Sequence, residues 1–164
     1  MDNAERARKN GLKALKTVKK VLTDTGWKPE ETEKEGVLRI DFSEDDIPIA
    51  DALAEVRIEY ERFLYYLNFK DRAPAKYRSE TMEFVTRVNF DLVIGNFELN
   101  LDHGLVRFKS SVDFTATELT PSLIRDAIKS AMDAVETYAD AIVEVMNGKK
   151  KALQALNDAE SGGT

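Results

Sequence analysis

Residues 96–114 read NFELNLDHGLVRFKSSVDF, and this stretch decides the fold. Phe97, Leu99 and Leu101 alternate with Glu98, Asn100 and Asp102. Val106, Phe108, Ser110, Val112 and Phe114 alternate with Arg107, Lys109 and Asp113. A period of two places successive side chains on opposite faces, so each half reads as a half-buried strand. Asp102-His103-Gly104 between them is turn chemistry, and the whole reads as an antiparallel hairpin. The expected register pairs Leu99 with Phe108 and Leu101 with Val106 across a loop from Asp102 to Leu105, or with a bulge at Gly104. It also sets Glu98 opposite Lys109, a favourable cross-strand pair.

On either side of the hairpin the apolar spacing becomes helical. Upstream, Pro74 suits the first turn of a helix. Tyr77, Phe84, Val85, Val88, Leu92 and Val93 then form its apolar face, and Gly95 stands where a left-handed stop is wanted. Asn89 lies on that inner face and needs a polar partner; the backbone where Gly95 opens the hairpin is the expected one. Downstream, Thr120-Pro121 reads as a hydroxyl cap followed by proline at the first helical position. Ile124, Ile128, Ala131, Val135, Tyr138, Ile142 and Met146 keep one stripe until Asn147-Gly148. Lys149, Lys150 and Lys151 complement the negative end of that helix.

Further out, Leu38, Ile40 and Phe42 read as one strand, Ser43 to Asp46 as a turn, and Val56, Ile58 and Tyr60 as a second strand. Phe63, Tyr65, Leu67 and Phe69 form a third, with a change of phase at Glu61-Arg62 that calls for a turn or bulge. Tyr66 points away from its main apolar face. At the start, Asp2 and Glu5 have the spacing of a helix cap. Leu12, Leu15, Val18 and Leu22 form a narrow apolar stripe in a basic helix over residues 1–25. Gly11 inside it costs about 1 kcal/mol, so the helix is expected to firm up only beyond that point.

The expected architecture is α+β in the order α-β-β-β-α-β-β-α: an antiparallel five-stranded sheet with helices packed on it. Residues 1–156 form a single domain in this reading, and 157–164 a disordered tail. At 164 residues the chain is long enough to bury a core without cross-links.

Composition narrows the chemistry. The absence of cysteine excludes disulfides, thiolate catalysis and thiolate-held metals. The single histidine, His103, excludes a multi-histidine metal site, and its place beside Gly104 reads as an exposed turn. Glu44-Asp45-Asp46 lacks the alternating acids and central glycine of a calcium loop. No phosphate loop, dinucleotide fingerprint or nucleophile elbow is present. No catalytic residue, metal ligand or cofactor is expected. No apolar run approaches the ~20 residues of a membrane span. No secretory leader is evident, and a cytoplasmic location is expected.

Net charge is −6, which disfavours generic nucleic-acid binding. Yet residues 1–20 hold seven Lys/Arg against two acids, and residues 30–61 hold twelve acids against three bases. The two regions either attract one another or face different partners. Lys13, Lys16 and Lys20 are therefore candidate partner-binding residues. Phe63, Tyr65, Tyr66 and Phe69 are candidates of a second kind, as core aromatics or as a strand that receives a partner segment.

The stretch Asn89 to Ser110, with Ile94-Gly95-Asn96-Phe97-Glu98-Leu99, Gly104 and Val106-Arg107-Phe108-Lys109-Ser110, resembles the YbjN family. The likeness extends from Pro74 to the Asn147-Gly148 end of the long helix. Asn89, Gly95 and Gly104 would then be structural. The resemblance implies a bacterial protein with a fold like that of type III secretion chaperones. Members of the family carry the label of sensory transduction regulators. It also implies a non-enzymatic module, acting as a homodimer that binds segments of other proteins. The alternative is an adaptor in a nucleic-acid or regulatory pathway that uses the basic N-terminal helix, with nucleic acid engaged only indirectly.

Overall fold

The computed structural model describes residues 2–162. The hairpin is formed by β5 (Asn96–Leu99) and β6 (Leu105–Asp113), but two residues away from the expected register. Phe97 faces Phe108, Glu98 faces Arg107 and Leu99 faces Val106. The Asn100 side chain causes the difference: its Oδ1 accepts from the backbone N–H groups of Asp102 (2.9 Å) and His103 (3.2 Å). The Gly104 N–H then donates to Asn100 O at 2.7 Å. The turn therefore begins at Asn100, and Leu101 sits exposed in the loop instead of pairing with Val106. Glu98 still reaches Lys109, diagonally, as well as Arg107 at 2.6 Å.

The sheet has six strands, not five, in the order β1-β2-β3-β4-β6-β5, all antiparallel. The additional strand is β1 (Glu30–Glu31), paired through backbone with β2 (Val37–Asp41). Two glutamates carry no apolar period, so no sequence signal marks it. β3 runs over Ile49–Arg57, earlier than expected, and Ile58–Tyr60 forms a 3-10 turn. Ala52 and Ala54, fully buried on the helix-facing side of β3, leave little hydropathy contrast to read. β4 (Arg62–Arg72) follows the phase change, where Glu61 adopts φ 52°.

α1 (Asn3–Asp24) is helical from its first turn, capped by Asp2 Oδ1 accepting from Glu5 N–H at 2.8 Å. Gly11 does not weaken it; it lets the helix lie on the Ile58 backbone, whose carbonyl oxygen would be 2.3 Å from an added Cβ. The buried face runs through Ala7, Gly11, Ala14, Val18, Val21 and Leu22, which turns Leu12 outward. A 3-10 turn over Ala75–Tyr77 precedes α2 (Arg78–Asp91). α3 (Pro121–Met146) begins at the Thr120 cap as expected from its sequence.

Residues 157–161, expected to begin a disordered tail, instead complete a fourth helix, α4 (Ala152–Ser161); residues 163–164 lie outside the described residues. Ala152 and Ala155 pack fully buried, and Glu80 Oε1 accepts from the Ala152 N–H at 2.8 Å. α1, α2 and α3 contact the sheet, and α4 packs on α2 and α3. The core between the layers is built on Phe63, Tyr65, Leu67, Phe97 and Phe108 from the strands and Phe84, Ile124 and Ile142 from the helices. The opposite sheet face carries a lattice of charges, including Arg39–Asp51 (3.1 Å) and Lys34–Glu55 (2.7 Å). Among the described residues no helix is long and apolar enough to cross a membrane.

Candidate functional site

β4 is a central strand, flanked by β3 and β6, so its aromatic residues do not form an edge. Phe63, Tyr65 and Phe69 point under the helices and are buried. Tyr66 faces the other way but is only 5% exposed, because the Arg107 guanidinium lies 4.3 Å from its ring centroid. None of the four presents a ring to a partner in this protomer. Their role in the protomer is packing, as burial of this much aromatic surface is among the strongest contributions to a core. The hydroxyls of Tyr65 and Ser110, on facing positions of β4 and β6, are buried without a hydrogen-bond partner among the described residues, and burial pushes the Tyr65 phenol well up.

The edge of β5 is closed by Asn89. Its Nδ2 donates to Phe97 O at 2.9 Å and its Oδ1 accepts from Phe97 N–H at 2.8 Å. A side-chain amide thus occupies the backbone groups that an added strand would use. Gly95, at φ 75°, lies with the Phe108 ring where a Cβ would be, which brings the α2–β5 turn tight against the sheet. Gly104 accepts from the Ala73 N–H at 2.8 Å and ties the hairpin loop to the end of β4. The other sheet edge is the pair of exposed glutamates of β1.

The basic helix is partly neutralised by its own neighbours. Lys13 pairs with Glu118 at 3.0 Å and Lys20 with Asp24 at 2.7 Å. Lys16 has no partner among the described residues. Arg6 reaches back to Glu61, with Nη1 to Oε1 at 3.0 Å and Nη2 to Oε2 at 2.8 Å. Glu61 is 2% exposed and also accepts from Asn10 Nδ2 (2.6 Å) and the Ala116 N–H (3.3 Å). The Arg6 bond outweighs burial and, with Asn10, Ala116 and the Arg6 charge, holds the Glu61 carboxyl at about 2. This socket fastens α1 to the start of β4 and to the loop that leads into α3. Sequence reading identified Glu61 only as a phase change, because its partners lie 51–55 positions away.

A second feature escaped the sequence. Phe90 is 89% exposed, Val93 96% and Ile94 53%, all at the corner where α2 hands over to β5. Val93 was expected on the inner face of α2, but the helix ends at Asp91 and its phase no longer applies. Beside the corner is a shallow cleft of about 310 Å³, with Val93 and Ile94 on one side and Ala134 and Tyr138 of α3 on the other. Three large apolar side chains are thus left together in water at this corner.

His103 is exposed in the hairpin loop, where its Nδ1 accepts from the Leu105 N–H at 3.4 Å. Glu44, Asp45 and Asp46 are exposed in the β2–β3 turn. Among the described residues no group of three or more histidine or acidic side chains could hold a metal ion.

One antiparallel sheet backed by helices, in this element order, defines an α+β fold similar to that of secretion chaperones. Residues 14–144 match the YbjN family, described as "Putative bacterial sensory transduction regulator", and the chain belongs to that family. No curated protein matches the chain. Among solved structures, the crystal structure of YbjN from E. coli is similar with a TM-score of 0.58 at 11% identity, over 82% of this chain and 90% of that one. An uncharacterised protein from Methanothermobacter thermautotrophicus aligns with a TM-score of 0.52 at 15% identity, over 83% and 98% of the two chains. A chain of the HopA1–SchA chaperone–effector complex aligns with a TM-score of 0.50 at 9% identity, over 74% and 88%. At these identities the likeness is one of fold.

Proposed function

We propose that this chain is a non-enzymatic, chaperone-like module of the cytoplasm that acts as a homodimer and binds segments of partner proteins. The observation that carries this reading is the exposed Phe90–Val93–Ile94 corner. Family membership and a fold shared with a chaperone–effector complex support it. The dimer forms by packing this corner against its copy across a twofold axis, which makes the patch self-complementary. Strand addition contributes little at β5, because Asn89 already occupies Phe97.

Sedimentation equilibrium tests the reading. The wild-type chain is expected near twice its mass of 18.5 kDa. The double substitution Phe90→Asp, Val93→Asp is expected to give the single-chain mass with an unchanged circular dichroism spectrum, since both side chains are already in solvent. A wild-type monomer across the micromolar range, or a variant that remains dimeric, would overturn it. The alternative of a nucleic-acid or regulatory adaptor working through the basic helix is less well supported, since Lys13 and Lys20 are already paired within the chain.

A further inference from the structure

α1 and the loop into α3 bound a cleft of about 930 Å³, the largest of those described on the surface. Its walls are fixed. Asn10 Nδ2 donates to Thr117 O at 2.7 Å, Lys13 pairs with Glu118, and the Arg6–Glu61 socket lies behind. Leu12 lines it and is 37% exposed, on the side of α1 opposite the buried face. Lys9 and Lys16 lie two turns apart on one stripe of α1, before and after Leu12 along the helix axis, and neither has a partner among the described residues. A chain of net charge −6 thus keeps two unneutralised cations around an apolar floor.

We propose that this cleft receives an acidic segment of a partner protein, anchored by an apolar side chain on Leu12 with carboxylates at Lys9 and Lys16. The inference rests on the protein-binding reading above and gives one class of partner its chemistry. Charge complementarity selects an acidic occupant, and the exposed leucine selects one with an apolar anchor. Lys9 and Lys16 lie two helical turns apart, ~10 Å along the axis. A strand rises ~3.3 Å per residue and shows alternate side chains on one face, so an extended occupant with the anchor between its acids would place them four positions apart, ~13 Å, within reach of two long lysine side chains. A nucleic acid would find only two unpaired cations beside Glu5 and Glu118, too few to follow a phosphate backbone, and no aromatic side chain in the cleft on which a base could stack.

The test is fluorescence anisotropy of the full chain with a labelled synthetic peptide of alternating glutamate and leucine character. The comparison probes are the same peptide with lysine for glutamate, a single-stranded oligodeoxynucleotide, and phosphatidylserine-containing vesicles. The acidic peptide is expected to bind, with affinity that falls as salt rises. Lys9→Glu together with Lys16→Glu is expected to weaken it roughly tenfold, as two exposed attractions become repulsions. Leu12→Asp is expected to weaken it similarly while the thermal midpoint stays put. The inference is overturned if the charge-reversed variant binds within about twofold of wild type, or if a comparison probe binds as tightly as the acidic peptide. It is also overturned if the acidic peptide fails to bind. In that case a dimer that Phe90→Asp, Val93→Asp still dissociates leaves the protein-binding reading standing and removes only this cleft.

Discussion

Glu61→Gln removes one charge from the socket that fastens α1 to the sheet and leaves the shape of the side chain. A carboxyl held at about 2 instead of its ordinary value of about 4.5 is stabilised in its ionised form by folding. One unit of displacement corresponds to about 1.4 kcal/mol, so the upper bound is about 3 kcal/mol. The Arg6 side chain is 35% exposed, so solvent screens the pair. The expectation for Glu61→Gln at pH 7 is a loss of roughly 1–2 kcal/mol. The direction with pH follows from the depressed value. The contribution is complete above the unfolded carboxyl's titration range and is lost as pH falls from about 4.5 through about 2. Urea unfolding of wild type and variant, at neutral pH and at several acidic values, measures it. The two proteins should differ at pH 7 and converge as pH falls through that window. A difference that stays constant with pH, or no difference at pH 7, would refute the role given to the socket.

Asn89→Ala should cost about 1–3 kcal/mol, since it strips partners from two backbone groups of Phe97. Amide exchange at Phe97 should rise in the same variant, and unchanged exchange would show that Asn89 does not close the edge. Tyr65→Phe removes a buried hydroxyl that has no partner among the described residues, so it should leave stability unchanged or raise it by up to about 1 kcal/mol. A clear loss in thermal unfolding would contradict that description of Tyr65.

The parts of the fold legible in the sequence are those made by neighbours. Thr120-Pro121 starts α3 because cap and proline act within one turn, and the β6 alternation survives because every second residue meets the same core. The hairpin register slipped by two because a single side chain, Asn100, bonds two backbone N–H groups and starts the turn early. Alternation marks the aromatic strand as two-faced but cannot say that β4 lies in the middle of the sheet. The Glu61 socket draws on residues from both ends of the domain, so no local pattern announces it. Phe90, Val93 and Ile94 look like core on hydropathy alone, but Phe90 stands on the face of α2 away from Thr81, Phe84, Val85 and Val88, and Val93 and Ile94 lie beyond the helix end at Asp91.

The claim that protein covers the Phe90–Ile94 corner is tested most directly by photo-cross-linking. A benzophenone amino acid replaces Val93, whose side chain is 96% exposed, so the fold tolerates it. Irradiation should give a covalent dimer whose cross-linked peptide contains residues of the same corner from the second copy. A protein that stays single-chain after irradiation, with the probe reacting only with solvent or with its own chain, would contradict the account.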